Sequence, residues 1–172
     1  VTKDLKLAFN WYQKAANQGD AYAQSSIASK YQYGQGVNTD LKLAFKWFQK
    51  AANQGDAISQ YNLGWKYAMG DGVSKDLKLA FSWYQKAANQ GVPQAQIATG
   101  SMYKMGNGVT KNLKLGFSWF QKAANTGSAY AQAYLGNEYQ NGIVVKKDLK
   151  QAVDWYQKAA DQGNASGQSS LA

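Results

Sequence analysis

Apolar and polar residues alternate along this chain with the spacing of an α-helix. In the first segment the apolar positions recur at steps of three and four residues, which places them on one side of a helix. They are Leu5, Ala8, Phe9, Tyr12, Ala15 and Ala16. Asp4 precedes the segment as a predicted N-cap, and Gly19 follows it where a left-handed residue often ends a helix. The pattern therefore predicts an amphipathic helix between these two residues.

A second amphipathic helix is predicted immediately afterwards. Asp20 is its predicted N-cap, and Ala23, Ile27 and Tyr31 belong to its apolar stripe. The pair Gly34 and Gly36 follows this stripe, and a closely spaced glycine pair is typical of a tight turn. The first 36 residues thus predict two helices joined by a short connection and ended by a turn.

The same pair of helices recurs every 36 residues without insertion or deletion. The copies span residues 1–36, 37–72, 73–108, 109–144 and, in shortened form, 145–172. A fixed period of this length indicates a solenoid, because one helix pair cannot bury its apolar faces without neighbours. We therefore predict an all-α fold in which residues 1–172 form a single array.

One position of the second helix holds only small residues. Ala28 is replaced by Gly64, Gly100 and Gly136 in the next three copies. Glycine inside a helix costs about 0.5–1 kcal/mol relative to alanine. We infer that a neighbouring helix passes very close at this position.

The composition narrows the classes of function. The chain has no Cys, no His and no Arg, and all 19 of its basic residues are Lys. Without Cys or His there is no thiolate nucleophile and no typical zinc site, so we predict no metal, no cofactor and no enzymatic activity. The composition argues against most hydrolytic mechanisms and leaves a serine–lysine pair open. No apolar run is long enough to span a membrane.

The net charge of +9 favours an acidic partner. Lysine lacks the bidentate geometry with which arginine reads guanine, so any binding to nucleic acid is expected to be non-specific and dependent on salt. We therefore predict a protein or an acidic peptide as the partner and no specific nucleic acid.

The recurrent residues of the chain also resemble a known family motif. In the second copy they are Ala44, Trp47, Phe48, Lys50, Ala51, Ala52, Gly55, Ala57, Gln60, Leu63, Gly64, Tyr67, Gly70, Gly72 and Val73. This pattern resembles the Sel1-like repeat, an αα-hairpin relative of the tetratricopeptide repeat, and the resemblance covers the whole chain. It implies a right-handed superhelix and a role as a protein-interaction scaffold, most often in bacteria.

Two alternative functions remain open. One is an immunity or inhibitor protein that caps a toxin or a wall-acting enzyme. The other is penicillin binding or weak β-lactam hydrolysis, which has been linked to a cysteine-rich branch of the family. Since this chain has no cysteine, we do not transfer the second activity to it.

The polar face of the first helices is the first candidate binding surface. In tetratricopeptide-like arrays this face lines a groove, and lysine with amide side chains can hold an acidic peptide or a terminal carboxylate. The alternative is that these residues only solvate an exposed helix face. The predicted groove residues are Lys6, Asn10, Gln13, Lys14, Lys42, Lys46, Gln49, Lys50, Lys78, Gln85, Lys86, Lys114, Gln121 and Lys122.

The second helices provide a rival surface, because they differ between copies where the first helices hardly do. A surface that recognises a particular partner has to vary in this way, although drift on an exposed face gives the same pattern. The rival residues are Tyr61, Trp65, Met69, Met105 and Tyr134. The tryptophan that recurs in every first helix, beginning with Trp11, is predicted to lie in the core.

Overall fold

The computed structural model describes residues 4–172 and is all-α over that range. Val1, which opens the first copy, lies outside the described residues. Ten helices and no strand are present between residues 4 and 172. They are α1 (Leu5–Asn17), α2 (Ala21–Tyr33), α3 (Leu41–Asn53), α4 (Ala57–Met69), α5 (Leu77–Asn89), α6 (Pro93–Met105), α7 (Leu113–Asn125), α8 (Ala129–Asn141), α9 (Leu149–Asp161) and α10 (Ala165–Leu171). The predicted helix pairs are confirmed.

The predicted caps explain where the helices begin. Asp4 accepts from the backbone N–H of Leu7, and Asp20 accepts from that of Ala23. An aspartate, an asparagine or a serine does the same at every other helix except α6. There Val92 is the N-cap, and Pro93 occupies the first turn, where its missing N–H leaves no intrahelical bond unmade.

The chain forms two compact units, of which the first runs to Gln90 and the second begins at Gly91. Within the first unit, each helix from α1 to α5 packs on the next one in chain order. Within the second unit, the helices from α6 to α10 do the same. This order of packing is that of an α-solenoid, so the predicted fold class is confirmed. The prediction of one continuous array over residues 1–172 stays a prediction.

The close approach inferred from the small residues is confirmed in both units. A Cβ added at Gly64 would lie 2.7 Å from a ring carbon of Tyr84, and one added at Gly136 would lie 2.6 Å from a ring carbon of Tyr156. Between α6 and α7 the two backbones themselves meet, because a Cβ on Gly116 would lie 2.9 Å from the carbonyl oxygen of Gly100. Gly116 replaces the alanine of the other first helices, and the absence of its side chain allows this contact.

The turn between copies depends on glycine for two reasons. Gly36 has φ 80°, and a Cβ on it would overlap the carbonyl oxygen of Leu5. Gly72 has φ 75° and lies in the same way against Leu41. In the fourth copy Val144 takes this position with a φ outside the left-handed region, and it packs on the core of the second unit. The turn before the fifth copy therefore differs in backbone conformation from the turns at Gly36 and Gly72.

Glutamine side chains connect successive copies, which the sequence did not reveal. Gln24 is buried and donates to the carbonyl oxygen of Ala16 at 3.2 Å. Gln54, one copy further on, donates to Gln24 Oε1 at 2.8 Å and to the carbonyl oxygen of Gly19 at 2.9 Å. Gln90 repeats both of these bonds one copy later, with Gln60 and Gly55 as acceptors. These bonds hold the C-terminal ends of successive first helices side by side.

Candidate binding surfaces

Two rows of lysine follow the first helices, and both are exposed. We call the lysines at the second helix position the first-turn row and those eight residues later the last-turn row. The first-turn row is Lys6, Lys42, Lys78, Lys114 and Lys150. The last-turn row is Lys14, Lys50, Lys86, Lys122 and Lys158. Every member is exposed, as the groove prediction requires, although exposure alone does not separate binding from solvation.

Each last-turn lysine lies over the ring of the tryptophan three residues before it. The ammonium-to-centroid distance is 4.4 Å for Lys14 on Trp11 and 3.9 Å for Lys122 on Trp119, and the other three pairs fall between these values. Such a cation–π contact contributes about 0.5–1 kcal/mol at an exposed site. A cation in the last turn also interacts favourably with the helix dipole. The last-turn row is therefore accounted for by the stability of the first helices.

The tryptophans lie between the core and these lysines. The core prediction holds for Trp119, which is 8% exposed, and is wrong for Trp11, which is 62% exposed. Trp47 shows why, because it packs on the buried cluster of Ala16, Ala23 and Ile27 from the preceding copy. Trp11 does not pack on a buried cluster of this kind among the described residues, and its exposed ring contacts the ammonium of Lys14.

The first-turn row has no comparable structural explanation. A lysine in the first turn opposes the helix dipole at a cost of about 0.3–1 kcal/mol. No first-turn lysine lies over an aromatic ring among the cation–π contacts of residues 4–172. The one ion pair within the same range joins Lys66 and Asp71, so no first-turn lysine forms an ion pair there. At α9 the pKa of Asp148 is lowered mainly by hydrogen bonds from Gln151 and to a smaller extent by the charge of Lys150. Four of the five first helices, α1, α3, α5 and α7, contain no acidic residue.

The turns between copies align the first-turn row within the first unit. Gly36 lies against the first turn of α1, where its added Cβ would be 3.1 Å from the backbone nitrogen of Lys6. Gly72 lies against the first turn of α3, where a Cβ added to it would be 3.3 Å from the backbone nitrogen of Lys42. Each of these glycines leads directly into the next first helix. The ends that carry Lys6, Lys42 and Lys78 are therefore successive neighbours.

The remaining groove residues lie on the same helices with less exposure. Asn10 and Lys46 are exposed, whereas the four glutamines are half-buried. Gln13 donates to Asn17 on its own helix at 3.0 Å. The half-buried glutamines are Gln13, Gln49, Gln85 and Gln121.

The rival residues on the second helices fall into two groups. Tyr61 and Tyr134 are packed inside their units. The ring centroid of Tyr61 lies 5.6 Å from that of Tyr84, and the ring of Tyr134 stacks on that of Phe120 with 3.9 Å between centroids. Burial raises the pKa of Tyr134, and its hydrogen bond to Glu138 raises it further. Trp65, Met69 and Met105 are exposed and remain available to a partner.

Two buried charged groups were missed in the sequence. Lys66 is fully buried and donates to Asp71 Oδ2 at 2.7 Å, with the ring of Phe48 centred 5.8 Å from its ammonium. Glu138 occupies the same register in the fourth copy and is also buried, with Oε2 left without a hydrogen-bond partner. The only sign of these buried groups in the sequence is that the residue at this register changes between copies, as Lys30, Lys66, Met102 and Glu138.

The described residues contain no arrangement typical of a metal site. Within residues 4–172 no cluster of three or more His, Cys, Asp or Glu side chains could hold a metal ion. None of the helices in this range has the length and apolar character needed to cross a bilayer. A cleft of about 230 Å³ in the second unit is lined by Tyr130, Tyr134, Tyr156 and neighbouring Asn and Ser side chains, and it is widely open.

Comparison with known proteins identifies the repeat. A family model described as Sel1 repeat matches residues 1–20, 21–56, 57–92, 93–128 and 129–164. A Sel1 repeat protein from Oxalobacter formigenes is similar in structure, with a TM-score of 0.90 and 40% sequence identity. The match covers 97% of this chain and 68% of the Oxalobacter chain. The protein c5321, a protective antigen present in uropathogenic Escherichia coli strains, has a TM-score of 0.92 and 35% identity over 98% of this chain and 36% of its own.

A third solved structure is less similar. The immunity protein Pa5087 from Pseudomonas aeruginosa has a TM-score of 0.59 and 27% identity over 97% of this chain and 62% of its own. No curated protein matches the sequence. Because the family model covers nearly every residue and two solved relatives exceed 30% identity, this chain belongs to the Sel1 repeat family.

Proposed function

We propose that this protein is an interaction scaffold whose first-turn lysine row binds an acidic, extended segment of a partner protein. Sel1 repeat proteins are in general non-enzymatic scaffolds that mediate protein interactions. The observation that supports an acidic ligand is the first-turn row itself. Its lysines recur in every copy against the helix dipole, and no carboxylate of residues 4–172 forms an ion pair with them.

The chemistry of the row suits a chain of carboxylates. Each ammonium group donates charge-assisted hydrogen bonds to aspartate or glutamate side chains or to a terminal carboxylate. Asn10 and its neighbours add neutral donors and acceptors to the same face. Lysine binds as a point charge and does not impose the planar geometry of arginine, so this surface selects for charge more than for shape.

The two lysine rows provide a matched experiment. Lys42→Gln with Lys78→Gln removes two charges from the first-turn row of α3 and α5. Lys50→Gln with Lys86→Gln removes the same number of charges from the last-turn row of the same helices. A fluorescent glutamate decapeptide serves as the probe, a glutamine decapeptide as the uncharged control, and anisotropy at about 50 mM salt, where charge interactions are weakly screened, gives the Kd.

The expected results differ between the rows. The first-turn variant should bind the glutamate peptide at least about tenfold more weakly, which corresponds to about 1.4 kcal/mol. The last-turn variant should lose about threefold or less through the long-range field, and it should be less stable because two cation–π contacts are gone. Equal losses of affinity in both variants, or equal binding of the two peptides, would refute the assignment.

An immunity or inhibitor function is the second candidate. It is supported by the similarity to Pa5087, which extends over nearly the whole of this chain. On this hypothesis the lysine row covers an acidic surface on a toxin. Affinity capture from the native host with the wild type and the first-turn variant tests it, since only the wild type should retain a toxin or wall-acting enzyme.

A further inference from the structure

The second helix of the fourth copy covers its first helix with two aromatic rings. Tyr130 and Tyr134 lie on α8, and Phe120 lies on α7. The ring centroid of Tyr130 is 6.4 Å from that of Phe120, and the ring of Tyr134 stacks on Phe120 with 3.9 Å between centroids. The first copy has a similar contact, in which the centroids of Tyr12 and Tyr22 are 6.3 Å apart. A phenol ring from the second helix is therefore one of the groups that this repeat places over the first helix.

The fifth copy has serine at both of these registers. Ser166 corresponds to Tyr130, and Ser170 corresponds to Tyr134, each 36 residues earlier. The space that two phenol rings fill in the fourth copy is therefore open in the fifth, next to Tyr156 of α9. It forms the cleft of about 230 Å³ between α8 and α10. A site for a drug-sized molecule measures about 300–1,000 Å³, so the size of this cleft suits a single side chain.

Contacts on both sides hold the cleft open. On the α8 side, the stacking on Phe120 fixes the ring of Tyr134. On the other side, α10 cannot move closer to α9, because a Cβ on Gly167 would already lie 2.8 Å from the backbone nitrogen of Ala160. The cleft is therefore preformed, and a ligand that enters it does not have to reorganise the helices first.

The polar groups of the cleft carry no charge. Besides tyrosine and alanine, it is lined by Asn137, Asn164, Ser166 and Ser170. Asn164 Oδ1 accepts from the backbone N–H of Gly167, which leaves the amide N–H groups of Asn164 free to donate. Neither of the two serine hydroxyls takes part in a hydrogen bond within residues 4–172. These groups suit a hydroxyl at the edge of an aromatic ring, and none of them attracts a charged ligand.

We propose that this cleft binds the side chain of a tyrosine residue on a partner protein. The fourth copy shows that a phenol ring fits at the equivalent place, over Phe120. The bound ring contacts Tyr130, which is 60% exposed, and its hydroxyl reaches the amide and hydroxyl groups of the cleft. Tyrosine also loses little conformational entropy on binding, because it has only two side-chain torsion angles. The proposal rests on the proposed scaffold function only for the source of the ring.

Solution NMR with small neutral probes tests this proposal on the ¹⁵N-labelled protein. N-acetyltyrosine amide represents the bound side chain, N-acetylalanine amide its backbone without the ring, and glucose a sugar. The tyrosine probe should shift the amide signals of Gly167 and Ser170 with a Kd on the order of 1–10 mM, as expected for a small ligand in an open cleft. The alanine probe and glucose should leave both signals unchanged at about 10 mM.

Two matched variants separate the cleft from the rest of the surface. Ser166→Tyr introduces the ring that the fourth copy has at this register, so it should fill the cleft and weaken the tyrosine probe at least about tenfold. Asn141→Tyr adds the same ring at an exposed register outside the cleft, where the first copy has Tyr33, and it should change the Kd less than about twofold. Tyr130→Ala removes an exposed wall of the cleft and should weaken the probe about threefold or more, even if Ser166→Tyr disturbs the amide spectrum.

Four outcomes would overturn the proposal. They are an absence of shifts with the tyrosine probe, equal shifts with the alanine probe, tighter binding of glucose at the same signals, and wild-type affinity in the folded Ser166→Tyr or Tyr130→Ala variant. The tyrosine probe is uncharged, so its binding does not depend on the lysine rows. Failure of the glutamate peptide therefore leaves the cleft assignment intact, and failure of the tyrosine probe leaves the first-turn row intact.

Discussion

Replacing Asp71 by asparagine should destabilise the first unit strongly, because it leaves a buried ammonium without its carboxylate. The Lys66 ammonium is fully buried and has one carboxylate partner, at 2.7 Å, while Asp71 itself is 17% exposed. Asp71→Asn keeps the size of the side chain and an oxygen that can accept a hydrogen bond. It removes only the negative charge, and it leaves the lysine charge inside the protein.

The structure allows the cost to be bracketed. At 2.7 Å and an effective dielectric constant of about 20, the gross attraction between two unit charges is about 6 kcal/mol. The loss of stability in the variant is smaller than this attraction, because the asparagine costs less to desolvate than the aspartate and because water reaches the exposed edge of residue 71. Breaking a buried pair by removing one partner typically costs about 3–5 kcal/mol. For this partly wetted pair we expect about 2–4 kcal/mol.

The third copy supplies the control for this change. Met102 and Asn107 stand there at the registers of Lys66 and Asp71. The double variant Lys66→Met with Asp71→Asn therefore reproduces a pair that the chain already packs. Since replacing a buried ion pair by an apolar residue of similar size is often neutral or stabilising, the double variant should be at least as stable as the wild type.

Urea unfolding followed by circular dichroism and by tryptophan fluorescence measures both variants. With an m-value of about 2 kcal/mol per molar urea, the single variant should lower the midpoint by about 1–2 M. A single variant within about 0.5 kcal/mol of the wild type would show that the ammonium finds water or another acceptor. A double variant as unstable as the single one would show that the loss comes from repacking, and either result would refute the reasoning.

Three further substitutions and one assay of the unchanged protein test other inferences. Gln54→Thr should cost about 1–2 kcal/mol in urea unfolding, because it removes both bonds to Gln24 and Gly19, whereas the exposed Gln18→Thr should cost less than about 0.5. Gly136→Ala should destabilise the second unit by about 1–3 kcal/mol in the same assay, since its Cβ would lie 2.6 Å from the Tyr156 ring; an unchanged midpoint would mean that the ring moves away freely. Burial raises the pKa of Tyr84 above its usual 10, so its contribution to stability is complete below pH 10 and declines above it; Tyr84→Phe should make the fall in unfolding midpoint between about pH 9 and 11 shallower than in the wild type. Purified protein should not hydrolyse nitrocefin, and turnover that persists in independent preparations would contradict the proposed absence of enzymatic activity.

The sequence predicted the helices well because their determinants are local. The spacing of apolar residues, the capping aspartates and the terminal glycines act within about one helical turn, and the 36-residue period repeats them. The close approach at Gly64 and Gly136 was also predictable, since only a neighbouring helix explains a recurrent glycine in mid-helix. The exposure of both lysine rows followed from the same amphipathic pattern.

Contacts between separate elements were harder to predict. Lysine is almost never fully buried, so nothing local marks Lys66 as an interior residue, and its partner Asp71 lies in the turn beyond the helix. The bonds of Gln54 join residues at least 30 positions apart and depend on how the copies stack. The contact between Lys14 and Trp11 could have been predicted, because residues three apart are neighbours on a helix. It was missed because the tryptophan was assigned to the core from its apolar neighbours alone.

The identity of the first-turn row in every copy limits what it can recognise. Lys6, Lys42 and Lys78 occupy equivalent positions in the first unit, so on the proposed function an acidic segment bound in one register would bind almost equally well one copy further along. A longer ligand would have more registers available, so its affinity should increase with its length. This increase involves no preference for a particular order of acidic residues. Discrimination between partners needs side chains that differ between copies. In the first unit most of these lie on the second helices, as Trp65 in place of Ser29 illustrates, and the first helices differ at the register of Asn10 and Lys46. On the proposed function, the attraction of acidic partners would be separate from the choice among them, and peptides of equal charge but scrambled sequence should bind the first-turn row with the same Kd.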